Sequence, residues 1–321
     1  MQDIHLFNPM AKTTGGSEQR TMSLFRLLDP HASVTVWSDE PPDPGFNGLF
    51  PIRQLAPPSN FPRSGTFVFI GTYQSVGPWF KHVKPSRIIF IQNMQDPERL
   101  REFHASVTSV TSLVPEMVYA SAPMMDETPE LPGIIQASPI DLERFRPSLR
   151  ANEKFVVGRI SRDHPDKHHP EDSKLYRTLS QQGFEVRVQG GLSLAEGVGE
   201  TPGVHLTDEG TLPAEEFYEG LDAFFFRTHP RLEEAFGRVI FEAMACGLPV
   251  LVEGRHPNRL SLHDGDNCII IDDSNDAIVE KLVYLRDHPE ERAALGLRAR
   301  AYVEQTIGAK WQQELIEFYT R

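Results

Sequence analysis

Short apolar runs alternate with longer segments of helical period along the whole chain, and this alternation limits the fold more than any other feature. The runs are rich in β-branched and aromatic residues. Such a pattern is typical of α/β proteins, in which helices cover a parallel sheet. We expect strands at 4–8, 34–37, 66–71, 87–92, 133–137, 154–158, 185–190, 204–207, 223–227, 249–253 and 268–272, and helices at 17–28, 97–104, 171–182, 213–219, 238–246 and 276–286.

The chain is long enough for two such units, since 321 residues are about twice the usual length of one domain. A Pro-, Gly- and Asn-rich stretch at 39–63 predicts a surface excursion. Residues 138–153 combine two prolines with alternating charges, which is typical of a connector. We therefore expect an N-terminal domain at 1–145, a C-terminal domain at 146–305, and an amphipathic helix at 306–321 that packs on the first domain.

Charge and composition disfavour several functions. The 32 Lys and Arg against 45 Asp and Glu give a net charge of −13, which works against nucleic-acid binding. No apolar stretch approaches the roughly 20 residues of a membrane helix. Peripheral contact with a membrane remains an alternative. Cys246 and Cys268 cannot form a disulfide framework, and we expect a cytoplasmic protein.

The most informative segment is 231–250, which reads RLEEAFGRVIFEAMACGLPV. Gly237 permits a tight turn before a short helix, whose first N–H groups form a natural anion site. Glu234 lies at this turn, and Glu242 within the helix can accept hydrogen bonds from sugar hydroxyls. Spacing alone leaves an equal alternative, in which both glutamates only favour the helix start and solvate one face.

A second cluster, GRISRDHPDKHHPED, follows the strand expected at 154–158. Arg159, Arg162 and Lys167 then lie where open α/β sheets bind ligands, and guanidinium and ammonium groups suit a diphosphate. The alternative is a solvated charged loop. The neighbouring histidines lack the spacing of metal ligands, so we expect no metal site.

Two glycine pairs follow other strands. Gly15 and Gly16 precede the first helix, where backbone N–H groups can approach a phosphate or a sugar. Gly190 and Gly191 follow the strand residues 185–189, where a flat base can lie against the backbone. Ordinary turns explain both pairs equally well.

Together these segments resemble family 4 of the retaining glycosyltransferases with the GT-B fold. The segment EAFGRVIFEAMACGLPV resembles the family's E-x7-E element, FVVGRIS its Gly-Arg strand end, and SPIDLERFRP its linker. The resemblance covers residues 133–305 well and the first half loosely. It implies two Rossmann-like domains that face a cleft, an acceptor-side domain at 1–145 and a nucleotide-sugar-binding domain at 146–305.

The resemblance also implies roles for the glutamate segment. Glu242 would hold the ribose hydroxyls of a donor nucleotide, and Glu234 would lie near the donor sugar. The N–H groups at Phe236 and Gly237 would meet the diphosphate and the sugar.

For the basic cluster, the resemblance implies that Arg159 and Lys167 neutralise the leaving diphosphate in place of a metal ion. Eight positions separate them where the family usually has about six, so Arg162 is expected to share this role. Gly15 and Gly16 would face the donor.

The expected function is therefore retaining transfer of a sugar from a nucleotide-diphosphate sugar to a saccharide or glycolipid, in polysaccharide or glycolipid biosynthesis, without metal or cofactor. The first half departs from the family, because Asn93 stands where many members have a histidine. A Gly-Gly turn is also absent after the strand at 249–253. Two alternatives follow: an inactive nucleotide-sugar-binding partner subunit, and a sugar-nucleotide epimerase.

Overall fold

The computed structural model describes residues 2–74, 76–149, 152–257, 261–272 and 274–321. Among these residues the strands are β1 (Asp3–Phe7), β2 (Ser33–Ser38), β3 (Ile52–Gln54), β4 (Ser64–Ile70), β5 (Lys84–Gln92), β6 (Glu116–Tyr119), β7 (Gly133–Ile135), β8 (Val156–Ile160), β9 (Glu185–Gln189), β10 (Val204–Thr207), β11 (Ala223–Phe226), β12 (Val250–Glu253) and β13 (Ile269–Ile271). The α-helices are α1 (Gly16–Leu28), α2 (Pro97–Thr108), α3 (Ala122–Asp126), α4 (Asp172–Gln181), α5 (Ala195–Val198), α6 (Ala214–Glu219), α7 (Arg238–Ala245), α8 (Asn275–Asp287), α9 (Pro289–Ile307) and α10 (Ala309–Thr320). Short 3₁₀ helices lie at Pro44–Phe46, Pro78–His82, Pro165–Lys167 and Leu192–Leu194.

The chain forms two compact units. The first contains Met1–Pro139 and Ala309–Arg321, and the second contains Ile140–Gly308. The division thus lies at 139/140, where the sequence predicted 145/146. The linker joins the second unit because the buried ring of Phe145 packs on Tyr218 and its carbonyl accepts a hydrogen bond from Arg300.

Each unit contains one parallel sheet. The first sheet has the order β3-β2-β1-β4-β5-β6-β7, and the second has the order β10-β9-β8-β11-β12-β13. Among the described residues, the strands of both sheets pair in parallel. The predicted α/β class with two parallel sheets is therefore confirmed.

Strands β3 and β6 were not predicted from the sequence. β3 lies inside the Pro-rich excursion, and it forms only an edge strand beside β2. An edge position tolerates the nearby prolines, because one side of the strand needs no partner. β6 contains only four residues, a length at which an apolar run gives no clear period.

An apolar cluster of the first unit lies between its sheet and helices α1 and α10. β1, β2 and β4 contribute Ile4, Val36 and Val68, and α1 contributes Leu24. The amphipathic helix α10 adds Leu315 and Tyr319 to the same cluster, and the Tyr319 hydroxyl donates to Gln136 Oε1 at 2.7 Å. The C-terminal helix therefore packs on the first unit.

The second unit has its own core, in which β8, β9 and β11 face α4 and α8. Val157, Val188 and Phe225 of the sheet contact a cluster that includes Leu175 of α4 and Ile278 of α8. Central strands with both faces buried are typical of parallel sheets. No helix in the described part of the chain is long and apolar enough to cross a membrane.

Candidate functional site

The loops that follow β8, β11 and β12 carry the predicted charged residues of the second unit. These three strands are neighbours in the sheet and run parallel, so their carboxyl ends share one edge. This edge is where open α/β sheets bind ligands. Segments 161–171, 227–237 and 254–257 meet there.

Helix α7 begins at this edge from an unusual backbone position. Gly237 has φ 68° and ψ 48°, the left-handed conformation that favours glycine. A methyl group at Gly237 would clash with the ring of His256. The Phe236 ring stacks on Phe241 at 4.8 Å, so the ring packs on α7.

An ion pair joins two of the predicted site residues beside α7. Lys167 Nζ donates to Glu234 Oε2 at 2.7 Å, and each side chain is 17% exposed. Burial favours a raised pKa for the Glu234 carboxyl, but the Lys167 ammonium outweighs it and the pKa is lowered. Glu234 is therefore an ionised carboxylate that remains accessible, rather than a proton donor.

Arg159 is buried, with 1% of its surface exposed, and its side chain hydrogen-bonds to backbone carbonyl groups. Its guanidinium donates to the carbonyl oxygens of Lys167 and Arg227. The structure thus brings Arg159 to the Lys167 segment, but its guanidinium is buried against the backbone. Arg162 is exposed in the same loop.

Glu242 lies one turn into α7 and is also buried. Its Oε1 accepts from Arg238 Nε at 2.6 Å, and its Oε2 accepts from the Tyr218 hydroxyl at 3.2 Å. Each carboxylate oxygen has a further lone pair, so Glu242 keeps capacity to accept from a ligand. Sequence reasoning missed Arg238 and Tyr218, because neither matched a motif.

His256 is the main site residue that sequence reasoning missed. The side chain of Arg255 fixes its loop by donating to Thr228 O at 2.8 Å and Leu232 O at 2.9 Å. Burial lowers the pKa of His256 to about 4, although Glu234 opposes this shift. A neutral imidazole thus lies in the segment where the family resemblance predicts a Gly-Gly turn. The absence of that turn was the only sequence signal for His256.

Gly190 is held against the end of β8. It has φ 78°, and a methyl group there would clash with the Ser161 carbonyl. His168 Nε2 lies 2.9 Å from the Gly190 oxygen. Burial lowers the pKa of His168 to about 4, so the ring is a neutral structural contact of this loop.

Gly15 and Gly16 lie in the first unit, at the start of α1. Gly15 is the N-cap residue, and a methyl group on it would clash with the Glu18 carboxylate. Ser17 Oγ also donates to Glu18 Oε2 at 2.7 Å. A carboxylate therefore covers the first turn of α1, a position where the sequence suggested a phosphate or a sugar.

Comparisons with known proteins agree with this fold. Residues 216–315 match the family model described as "Glycosyl transferase-like". A trehalose synthase of Pyrococcus horikoshii is 34% identical over 76 residues, which are 24% of this chain and 18% of that protein. A GDP-mannose-dependent monoacylated alpha-(1-6)-phosphatidylinositol monomannoside mannosyltransferase of Corynebacterium glutamicum is 36% identical over 86 residues, 26% of this chain and 21% of that protein. The matched segments thus span about a fifth of these relatives.

Solved structures match the whole chain. Anabaena HepE, in complex with UDP and glucose, aligns with a TM-score of 0.75 and 14% identity over 100% of both chains. WaaG, a glycosyltransferase involved in lipopolysaccharide biosynthesis, aligns with a TM-score of 0.67 and 14% identity over 99% of both chains. The resemblance to GT-B glycosyltransferases is confirmed in the fold, and residues 216–315 carry it in the sequence.

Proposed function

We propose that the chain is a retaining glycosyltransferase that uses a nucleotide-diphosphate sugar and needs no divalent metal. The observation that carries this proposal is the Lys167–Glu234 ion pair beside the first turn of α7, with Glu242 inside the same helix. A cation, a helix N-terminus and an inner carboxylate match the diphosphate, the sugar and the ribose of such a donor.

In this proposal the main role of the second unit is to stabilise the negative charge of the leaving group. Lys167 and the α7 N-terminus stabilise the negative charge that grows on the β-phosphate. Arg159 positions Lys167 by holding its carbonyl. Arg162 is exposed in the same loop and is proposed to contact the diphosphate as well.

The other proposed donor contacts lie at the same carboxyl edge of the second sheet. Glu242 accepts hydrogen bonds from the ribose hydroxyls through its free lone pairs, while Arg238 and Tyr218 hold its side chain. The loop at Gly190 is proposed to pack on the base. Glu234 lies beside the donor sugar, where Lys167 keeps it ionised.

The transfer step needs no protein base. The acceptor hydroxyl attacks the anomeric carbon on the face that the diphosphate leaves, the carbon–oxygen bond to the β-phosphate breaks, and the hydroxyl proton passes to a phosphate oxygen. Attack on the same face retains the anomeric configuration. Glu234 is paired with Lys167 and takes no proton in this step.

The names of similar proteins support a saccharide or glycolipid acceptor in polysaccharide or glycolipid biosynthesis. One relative is named as a mannosyltransferase on a phosphatidylinositol mannoside, and WaaG is named for lipopolysaccharide biosynthesis. Cys246 and Cys268 are both buried thiols. Reduced cysteines suit the cytoplasm, which we propose as the location.

Calorimetric titration of UDP and GDP in the presence of EDTA tests the donor site. We expect saturable binding of one nucleotide to the wild-type chain, and much weaker binding to the Lys167→Ala variant. Lys174→Ala is the matched control, since Lys174 is an exposed lysine with only a 3.9 Å contact to Glu171. NMR of the product formed from the matching sugar nucleotide then reports the anomeric configuration.

Each other outcome rejects a stated part of the proposal. Nucleotide binding without hydrolysis or transfer to any acceptor indicates the inactive partner subunit. Conversion of the sugar nucleotide without an acceptor indicates an epimerase. An inverted product rejects retention, and activity that EDTA abolishes rejects metal independence.

A further inference from the structure

The Glu234 loop, residues 228–237, takes its shape from groups outside itself. It connects β11 to α7, and the structure describes all of it as irregular backbone. Within it, Leu232 N donates to His229 O at 2.9 Å, which closes one turn. Carbonyl groups of an irregular segment need partners from elsewhere in the fold. The position of Glu234 therefore depends on the groups that hold this loop.

Arg255, in the neighbouring loop after β12, supplies several of these partners. Its guanidinium donates to four carbonyl oxygens of the Glu234 loop: Thr228 O at 2.8 Å, His229 O at 2.9 Å, Leu232 O at 2.9 Å and Pro230 O at 3.3 Å. The planar fork of arginine carries five N–H donors and can span such a set, whereas the single ammonium group of lysine cannot. One side chain thus holds the first half of the loop.

Glu253, at the end of β12, fixes the guanidinium of Arg255. Its Oε2 lies 2.7 Å from Arg255 Nη2, and the Glu253 side chain is 3% exposed against 33% for Arg255. Glu253 Oε1 also accepts a hydrogen bond from the Thr228 hydroxyl at 2.8 Å. A buried charge is stable only when it is paired and hydrogen-bonded. Rotation of Arg255 into solvent would therefore cost the buried carboxylate its ion pair.

The Glu234 loop is attached on its other flank to the loop after β8, since β11 lies between β8 and β12 in the sheet. Arg231 donates to Asp166 Oδ1 at 2.7 Å, and His229 N donates to Asp166 O at 3.1 Å. The Arg231 side chain is 68% exposed, and exposed ion pairs contribute little to stability. The attachment through Arg255 and Glu253 is therefore the stronger of the two.

The Lys167–Glu234 ion pair depends on accurate backbone positions, because its two members come from different loops and meet at 2.7 Å. In the contacts that the structure describes, Arg255 reaches the backbone of the Glu234 loop rather than either of these side chains. A misplacement of about 1 Å that starts from a remote residue can lower turnover about 100-fold. Arg255 can therefore affect the site without contact with a donor.

We infer that Arg255 is a positioning residue, which sets the place of Glu234 relative to Lys167 through the backbone of the Glu234 loop. For the role of Glu234 beside the donor sugar, this inference rests on the proposed function. Gly254 and Arg255 lie in the segment where the family resemblance predicts a Gly-Gly turn. The departure from the family at this place is then a functional contact and not simple divergence.

Carbon-13 NMR titration of the Glu234 carboxyl group in the full chain tests the positioning without an assay of activity. Burial raises the pKa of Glu234, and Lys167 and His256 outweigh burial and lower it. Arg255→Ala should raise this pKa towards its ordinary value, because the displaced carboxylate loses part of its pairing with Lys167. Arg255→Lys keeps the positive charge and loses the fork, so it should raise the pKa as well. The spectrum of Glu234→Gln assigns the signal.

A double-mutant cycle on turnover tests the consequence for the proposed reaction. UDP-glucose and GDP-mannose are the donor probes, and release of the nucleoside diphosphate is measured for the wild-type chain, Arg255→Ala, Glu234→Gln and the double variant. Arg255→Ala should lower kcat about 10- to 100-fold in the wild-type background. In the Glu234→Gln background it should lower kcat less than about threefold, because residues that act through one another are not additive.

Arg286→Ala is the matched control. The Arg286 side chain is also 33% exposed and also donates to a backbone carbonyl, that of Gln182 at 2.8 Å, but it lies on α8. This variant should change neither the pKa of Glu234 nor kcat. Thermal melting followed by circular dichroism reports loss of folding separately, and Arg255→Lys supports the same measurements if Arg255→Ala does not fold.

Three results would overturn the inference: an unchanged pKa of Glu234 in Arg255→Lys, independent effects of the two substitutions on kcat, and an equal effect of Arg286→Ala. The two proposals fail separately. A raised Glu234 pKa in the Arg255 variants, with no turnover or nucleotide binding by the wild-type chain, rejects the proposed function alone. Turnover by the wild-type chain with an unchanged Glu234 pKa in both Arg255 variants rejects this inference alone.

Discussion

The carboxyl edges of the two sheets have the same architecture and opposite chemistry. In the second unit the polar side chains include charged pairs, such as Lys167–Glu234 and Arg238–Glu242. In the first unit they are mostly neutral, and atoms such as Asn93 Oδ1 have no partner among the described residues. The second edge is the one that we propose binds a nucleoside diphosphate.

The difference shows that the parallel-sheet fold alone does not determine which ligand binds. Both sheets place their loops at the same edge, and the residues that follow each strand decide what the edge can bind. After β11 the chain supplies Glu234 and the start of α7, whereas after β5 it supplies Asn93. The following predictions test this division, from the largest expected effect to the smallest.

Replacement of Lys167 by Ala should have the largest effect. The substitution removes the partly buried ammonium that we propose stabilises the leaving diphosphate, and loss of one such group typically lowers turnover about 100-fold or more. Initial-rate kinetics with the sugar nucleotide give kcat. Lys167→Arg keeps the charge and should recover part of the loss, so equal defects in both variants would contradict the electrostatic role.

Acidification should weaken the second unit through His168. Its folded-state pKa is about 4 because of burial, against an ordinary 6.5, so the unfolded state binds more protons and stability is lost as the pH falls below 6.5. A shift of this size in one histidine lowers the free energy of unfolding by a few kcal/mol, on the order of 1.4 kcal/mol for each unit of pKa shift, between about pH 6.5 and pH 4.

Urea unfolding at several pH values measures this loss. His168→Gln removes the titrating group and keeps an N–H that can bond the Gly190 carbonyl, so its stability should depend less on pH. His205→Gln, at a position where the side chain is 56% exposed, is the control. An unchanged pH dependence in His168→Gln would show that the ring is not buried as described.

Replacement of Glu242 by Gln should raise the nucleotide Kd about 10- to 100-fold. The substitution keeps the shape but removes the charge that strengthens hydrogen bonds from ribose hydroxyls. Glu196→Gln makes the same change at an exposed position of the second unit. Calorimetry with the nucleoside diphosphate measures both, and equal Kd values would remove Glu242 from the donor site.

The smallest effect is expected from Asn93→Leu on nucleotide affinity. Asn93 belongs to the first unit and nucleotide binding is assigned to the second, so the Kd of the nucleoside diphosphate should stay within about twofold of the wild-type value. The same titration measures it. A large rise in this Kd would break the division between the two edges.

The local structure of the second edge could be predicted from the sequence, because it depends on neighbouring residues. Gly237 predicts a turn before α7, and Gly247, with φ 67°, ends the same helix. Strands β8 and β11, which precede the loops of Lys167 and Glu234, were predicted from their apolar runs. The predicted residues Lys167 and Glu234 do come together at this edge.

Other features depend on contacts between distant segments and had no signal in the sequence. Lys167 bonds Glu234 across 67 residues, and the burial of Arg159 depends on the carbonyl of Arg227. The only sequence signal for His256 was the absence of the Gly-Gly turn that the family resemblance predicts after the strand at 249–253. In the first unit, the Glu18 carboxylate folds over Gly15, which spacing does not reveal because any side chain near a helix start can turn back.

The central claim is that the second unit binds a nucleoside diphosphate without metal through Lys167 and Glu242. Its most direct test is calorimetric titration of UDP and GDP, in EDTA, into the wild-type chain and the Lys167→Ala and Glu242→Gln variants. The account predicts saturable binding of at least one nucleotide to the wild-type chain and a higher Kd in both variants. Binding of neither nucleotide to the wild-type chain, or one Kd shared by all three proteins, would contradict it.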